Sequence, residues 1–130
     1  MNPIALACTA ALGLLLFGLG LAVSALRFRH QRVWGSEPDP TNGLTKVIRA
    51  HGNTAEYAPL LAVLFVIAGT RSPSTLVLGL IVAATVCRVL LVVGLIAGAS
   101  MARPNPARFV GALGTYVAGA GLCIALLVGA

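Results

Sequence analysis

Arg49-Ala50-His51-Gly52-Asn53-Thr54-Ala55-Glu56-Tyr57-Ala58-Pro59 is the stretch on which the fold of this chain turns. It runs without a break into an apolar segment over residues 60–69, so its polar groups stand on a helix that enters a membrane. At ~100° per residue, Arg49, Asn53, Glu56 and Leu60 share one face, at spacings of four, three and four, and Tyr57 lies beside it. His51 and Thr54 point elsewhere, and the pattern gives His51 no role. Ionisable groups at such depth are costly and need partners, which makes them markers of a functional site. The plainer alternative is a polar helix end solvated at the interface. The depth of Glu56 opposes it, because so short a side chain does not reach water easily.

Composition agrees with a membrane setting. The chain has 130 residues, enough for one domain. It is 58% hydrophobic and 9% charged, with a mean hydropathy of +0.98, which excludes an ordinary soluble domain. Nine Lys and Arg against three Asp and Glu give a net charge of +6. No basic stripe with interleaved aromatics accompanies that charge, so nucleic acid is not expected as a partner. Cys8, Cys87 and Cys123 lie singly in apolar runs and form no CxxC pair. They read as small buried hydrophobes, and no metal site is expected.

Four helices follow from the apolar runs. Residues 3–26 carry no charge and exceed the ~20 residues needed to cross the hydrocarbon. A cleaved signal peptide would need a basic start and a shorter apolar run. Arg27, Arg29, His30 and Arg32 open a polar connection, Trp34 suits an interfacial anchor, and residues 36–43 have turn chemistry. The second helix is expected over residues 44–69, with Pro59 inside it disturbing the carbonyl of Ala55 and kinking the helix. The third is expected over 74–99, with Arg88 as its one charge, and the fourth over 107–130. Gly94 and Gly98, and Ala107, Gly111, Thr115 and Gly119, repeat small residues every four positions, a packing signal for helices in lipid. The expected fold is all-α: a single integral membrane four-helix bundle spanning residues 1–130.

Charge sets the orientation. Arg27, Arg29, Arg32, Lys46, Arg49, Arg103 and Arg108 fall on one side of the membrane, and Arg71 alone on the other. This puts the basic loops in the cytoplasm and both termini outside. Glu56 is ten residues past Lys46, so it sits roughly 15 Å below the start of its helix at ~1.5 Å per residue. Arg88 is ten residues before Gly98, at a similar depth. They are the only acid and the only arginine at that level, and a structural Glu56–Arg88 ion pair is therefore expected. The alternative for Arg88 is contact with water or carbonyls in a cavity.

Arg49, Asn53, Glu56, Tyr57 and Pro59 at these spacings, with Arg88 and Pro106-Ala107-Arg108, resemble the membrane-associated proteins in eicosanoid and glutathione metabolism, the MAPEG family. Length, helix number and topology fit over the whole chain, which resembles a bacterial member in an inner membrane. The resemblance implies a homotrimer of four-helix protomers, embedded in lipid. It implies glutathione as co-substrate, bound between protomers near the cytoplasmic face, and lipophilic small molecules arriving from the bilayer. Arg27, together with Arg49, would hold glutathione carboxylates, and Asn53 and Tyr57 would supply hydrogen bonds. Glu56 would face the tripeptide's amine or lock Arg88. Arg108 would be catalytic, stabilising the thiolate. No cysteine of the chain is positioned for that work, so the thiol must come from the ligand.

The chain departs from its relatives at three positions. Many relatives have His or Tyr three residues after the helix-3 arginine and Tyr four further on; here stand Leu91 and Leu95. Arg-xxx-Tyr at the start of helix 4 is replaced by Arg108 and Ala112, with Tyr116 one turn deeper. An eicosanoid substrate therefore has no support. The function expected is a glutathione transferase or peroxidase acting on lipophilic electrophiles. Two alternatives stand: a non-catalytic scaffold or binder of the same fold, and a small multidrug transporter. The second would place its acid in helix 1, which has none.

Overall fold

Asparagine or serine stands before every helix. The side chains of Asn2, Asn42, Ser74 and Asn105 accept backbone N–H groups of the first turn that have no partner inside the helix. Pro3 and Pro106 follow two of these caps, where proline loses no needed donor. The helices so opened are α1 (Pro3–Arg29), α2 (Gly43–Thr70), α3 (Thr75–Ala97) and α4 (Pro106–Leu127), in a computed structural model that describes residues 1–35 and 38–129. The shortest has 22 residues, about 33 Å at ~1.5 Å per residue, against a hydrocarbon core of ~30 Å. All four are long and apolar enough to cross a membrane. Over its described residues the protein is an all-α integral membrane protein of four helices.

The helix ends differ from the expected ones by a few residues, for local reasons. α1 continues to Arg29, because nothing in Arg27-Phe28-Arg29 breaks a helix and two cations suit its negative C-terminal end. The chain then turns through Gln31 in the left-handed region, with φ 53°. α3 ends at Ala97, where Gly98 becomes extended and the Lys46 ammonium donates to the carbonyls of Gly98 (2.7 Å) and Ala99 (3.1 Å). α2 continues through Pro59. Ser36 and Glu37 of the expected turn, and Ala130 at the expected end of the fourth helix, lie outside the described residues.

Packing is uneven, and this makes the site. α1 lies against α2 and α3, and α3 lies along α4. α2 and α4 meet only slightly, so the seam between them stays open. α3 and α4 are close because of glycine: a Cβ on Gly111 would fall 2.6 Å from the Leu91 nitrogen and 2.7 Å from the Cys87 carbonyl oxygen. Small residues let backbones touch in this way in lipid. Two apolar clusters result. One gathers Leu12, Leu61, Phe65, Ile81 and Leu122; the other gathers Leu19, Val47, Leu91, Val92 and Leu95 near the basic loops. Between them, Thr54 on α2 and Arg88 on α3 are wholly buried.

Candidate functional site

On α2 the buried stripe includes Val47, Ala50, Thr54, Ala58 and Leu61. Arg49, Asn53 and Tyr57 lie along one edge of that stripe, the edge turned to the open seam with α4. α4 begins at the same level. Asn105 caps it, accepting from the N–H groups of Ala107 (2.9 Å) and Arg108 (3.3 Å), and its amide nitrogen donates to the Gly94 carbonyl of α3 at 3.2 Å. One side chain thus fixes the start of α4 onto α3. Arg108 leaves the first turn, and its Nη1 donates to the Met101 carbonyl at 2.8 Å.

Arg49, Asn53, Arg103, Asn105, Arg108 and Phe109 surround a cleft of about 350 Å³. Its apolar wall is Leu91, Leu95 and Ala112, with Pro104 at the rim. Three arginines therefore line one space, and the described lining contains no carboxylate. Such a cleft suits an anion: cations sharing a small cavity repel each other unless negative charge enters.

Under the cleft lies Arg88. Its Nη2 donates to Asn53 Oδ1 at 2.8 Å and to the Asn53 carbonyl at 3.2 Å. Its guanidinium carbon stands 5.2 Å from the Tyr57 ring centre, within cation–π range. Nε and Nη1 of Arg88 have no hydrogen-bond partner among the described residues. The Tyr57 ring in turn meets Tyr116 of α4, centroids 5.6 Å apart and planes inclined by 45°. Below this aromatic pair the seam opens into a second cavity of about 300 Å³, lined by Tyr57, Leu60, Leu64, Tyr116, Ala120 and Cys123 among others. Among the described residues, no cluster of His, Cys, Asp and Glu could hold a metal ion.

The structure brings together Arg49, Asn53 and Arg108 of the expected site, with Tyr57 just below. Two expected residues are elsewhere. The expected Glu56–Arg88 ion pair is not formed within the protomer: Glu56 is exposed, and Arg88 is held by Asn53 and Tyr57. Rotation explains this. Glu56 is two residues past buried Thr54, about 200° round the helix, so it points away from α3 at the right depth but in the wrong direction. Arg27 lies across α2, in a hollow shared with Gly20, His51 and Ala55, and its Nη1 donates to the Val33 carbonyl at 3.2 Å.

Arg103 joins the site beyond expectation, and Tyr116, one turn deeper than the tyrosine that relatives carry, stands just below it. Arg103 counts in the sequence only towards topology, yet it closes the turn that begins at Ser100, its N–H donating to the Ser100 carbonyl at 3.4 Å, and it lines the same cleft as Arg108. Tyr116 is eight residues after Arg108 with Ala112 midway, the i, i+4, i+8 series of one helix face. That spacing was the signal available.

Neither curated proteins nor solved structures gave a match on comparison. A family model did, over residues 5–128, from the start of α1 to the residue after α4. With four membrane-length helices and the Arg49–Tyr57 edge inside the matched region, the chain belongs to the MAPEG family, membrane proteins of glutathione and eicosanoid metabolism.

Proposed function

We propose that the protein binds glutathione in the cleft between α2 and α4 and presents its thiolate to lipophilic electrophiles. One observation carries this reading: Arg49, Arg103 and Arg108 face a single space whose described lining has no carboxylate. Glutathione has two carboxylates, one ammonium and an ionisable thiol, and so enters as a net anion. Arg49 and Arg103 pair with its carboxylates through charge-assisted hydrogen bonds. Asn53 adds a hydrogen bond, and Tyr57 supplies another from below. Exposed Glu56, on the outer side of the Arg49–Asn53 edge, is available to the ammonium group.

Arg108 is the catalytic residue of this reading. A guanidinium beside the thiol favours the charged sulfur, lowering its pKa from the ~8.5 of a free thiol. The thiolate attacks the electrophilic carbon, the carbon–sulfur bond forms, and the leaving group departs with its electron pair. The apolar cavity below Tyr57 and Tyr116 opens on the bilayer side of the cleft and receives the lipophilic partner. In the protomer Arg27 lies across α2 from the cleft, so it reaches a ligand only from a second copy. A homotrimer with ligand between protomers meets that need. The α1 end at Arg29 and the loops bearing Arg32 and Arg103 face the cytoplasm of a bacterial inner membrane, where glutathione is reduced, and both termini are outside.

Glutathione titration of the protein in native-like lipid, read by thiolate absorbance, tests the proposal. Saturation at millimolar glutathione or below is expected. A second reading, a non-catalytic scaffold, has its own observation: Leu91, Leu95 and Ala112 make one wall of the cleft apolar, and Arg108 is already held by the Met101 carbonyl. Absence of both binding and thiolate signal would establish the scaffold.

A further inference from the structure

Asn53 faces two ways. It lines the cationic cleft, and it accepts from Arg88 through Oδ1 at 2.8 Å. Chemistry determines which end of the amide does which. A guanidinium has five donors and no acceptor, so only the amide oxygen can meet it. The amide NH2 is then left on the other arm, on the side of the cleft. An isolated asparagine amide turns through 180° at little steric cost, because its oxygen and nitrogen ends are nearly the same size. Here that turn would set donor against donor and break a hydrogen bond made by a charged group. Arg88 itself has little freedom: it is wholly buried, it also donates to the Asn53 carbonyl at 3.2 Å, and Tyr57 lies against its guanidinium.

We propose that Arg88 is a positioning residue that holds the Asn53 amide with its NH2 towards the ligand, so that this wall of the cleft offers donors only and selects for an anionic acceptor. Arg88 never touches the ligand. Its charge acts through the polarity it imposes on Asn53, and together with Arg49, Arg103 and Arg108 it makes the lining a set of donors. The group selected is a carboxylate or thiolate; an ammonium at this wall would find no acceptor on the side chain. This inference rests on the glutathione reading of the cleft and specifies which end of that ligand α2 takes.

Asn53→Asp is the sharpest test, because the shape is conserved and only the polarity changes. The new carboxylate keeps Arg88 as an ion partner but turns a negatively charged oxygen into the cleft. Full-length protein in lipid nanodiscs should unfold no earlier than wild type, while its Kd for glutathione rises at least about tenfold, equivalent to ~1.4 kcal/mol. Binding of glutathione diethyl ester, whose carboxylates are masked and whose remaining charge is its ammonium group, should change less than threefold, roughly, within ~0.7 kcal/mol. Loss of both ligands in equal measure would indicate damage to the cleft and overturn the inference. Arg88→Lys, which retains a donor-only group, should bind glutathione better than Arg88→Gln, whose amide can accept and so permits Asn53 to turn. If wild type binds glutathione and N53D binds it equally, the inference is wrong and the function stands. If wild type does not bind it, the functional reading falls, and the ligand assigned here falls with it.

Discussion

Two cavities share the α2–α4 seam, and they are opposites. The upper one, beside the basic loops, is lined by Arg49, Asn53, Arg103 and Arg108. The lower one is lined by Leu60, Leu64, Ala120 and Cys123, with the two tyrosine rings as its roof. Both exist for the same reason: α3 holds α4 tightly and leaves α2 and α4 apart. They differ because of depth. Near the interface guanidinium groups are hydrated and cheap to maintain, whereas a few helical turns deeper an unpaired charge is expensive in hydrocarbon. Tyr57 lies at the boundary, meeting Arg88 on one side and the apolar cavity on the other. The contrast describes a seam with a cationic end and an apolar end, which the proposed function assigns to a charged thiol and a lipophilic partner.

The most destructive change should remove both ends at once. Gly111→Leu puts a side chain where a Cβ already falls 2.6 Å from the Leu91 nitrogen, so α4 must move off α3. Overpacking of this kind costs about 1–3 kcal/mol or more, and thermal unfolding in lipid should show a large loss of stability. A Gly111→Leu protein as stable as wild type would mean that the seam does not depend on the α3–α4 contact. Arg49→Leu should strike the cationic end alone. Losing one charge-assisted contact costs about 1.5–3 kcal/mol, so glutathione affinity by calorimetry should fall roughly ten- to hundredfold. Stability should hold, because Arg49 is exposed.

Arg108→Leu should separate binding from activation. Without the cation the bound thiol's pKa returns towards ~8.5, while the carboxylate contacts remain. Thiolate absorbance and turnover of an aryl halide should then decline at neutral pH and recover as pH rises, with Kd changing little. A flat pH response would remove Arg108 from the chemistry. The smallest effect is expected at the apolar end. Leu64→Trp fills part of the lower cavity and should raise KM for a lipophilic electrophile about three- to tenfold, on the order of 1 kcal/mol of lost apolar contact. Glutathione affinity should be unaltered. If Leu64→Trp weakens glutathione instead, the two cavities are one site.

Much of this division was legible before any coordinates. The Arg49, Asn53, Tyr57 series follows from spacing and Arg108 from the family resemblance, and the structure puts Arg49, Asn53 and Arg108 on one cleft with Tyr57 below. Arg88 was recognised as a buried cation in need of a partner, and it is wholly buried. Its partner was not legible. Depth singled out Glu56, but Asn53 and Tyr57 hold Arg88 in the protomer. Arg103 was missed because a loop residue has no periodicity to betray its direction, and only the fold of the connection from Ser100 to Asn105 brings it to the cleft.

Sequence alone determined that the chain makes four membrane-length helices, because hydropathy and helical period are local properties accumulated along a segment. It also determined which end of the bundle is basic, since charge in a membrane protein is positioned by connections between spans. Tertiary structure decided how far each helix is rotated about its own axis and which neighbour it faces. Glu56 and Asn53 are three residues apart, about 60° on the helix. That difference leaves one carboxylate exposed and brings one amide to a buried guanidinium. Rotation depends on packing against other helices, here on glycines such as Gly111 that admit one approach and no other.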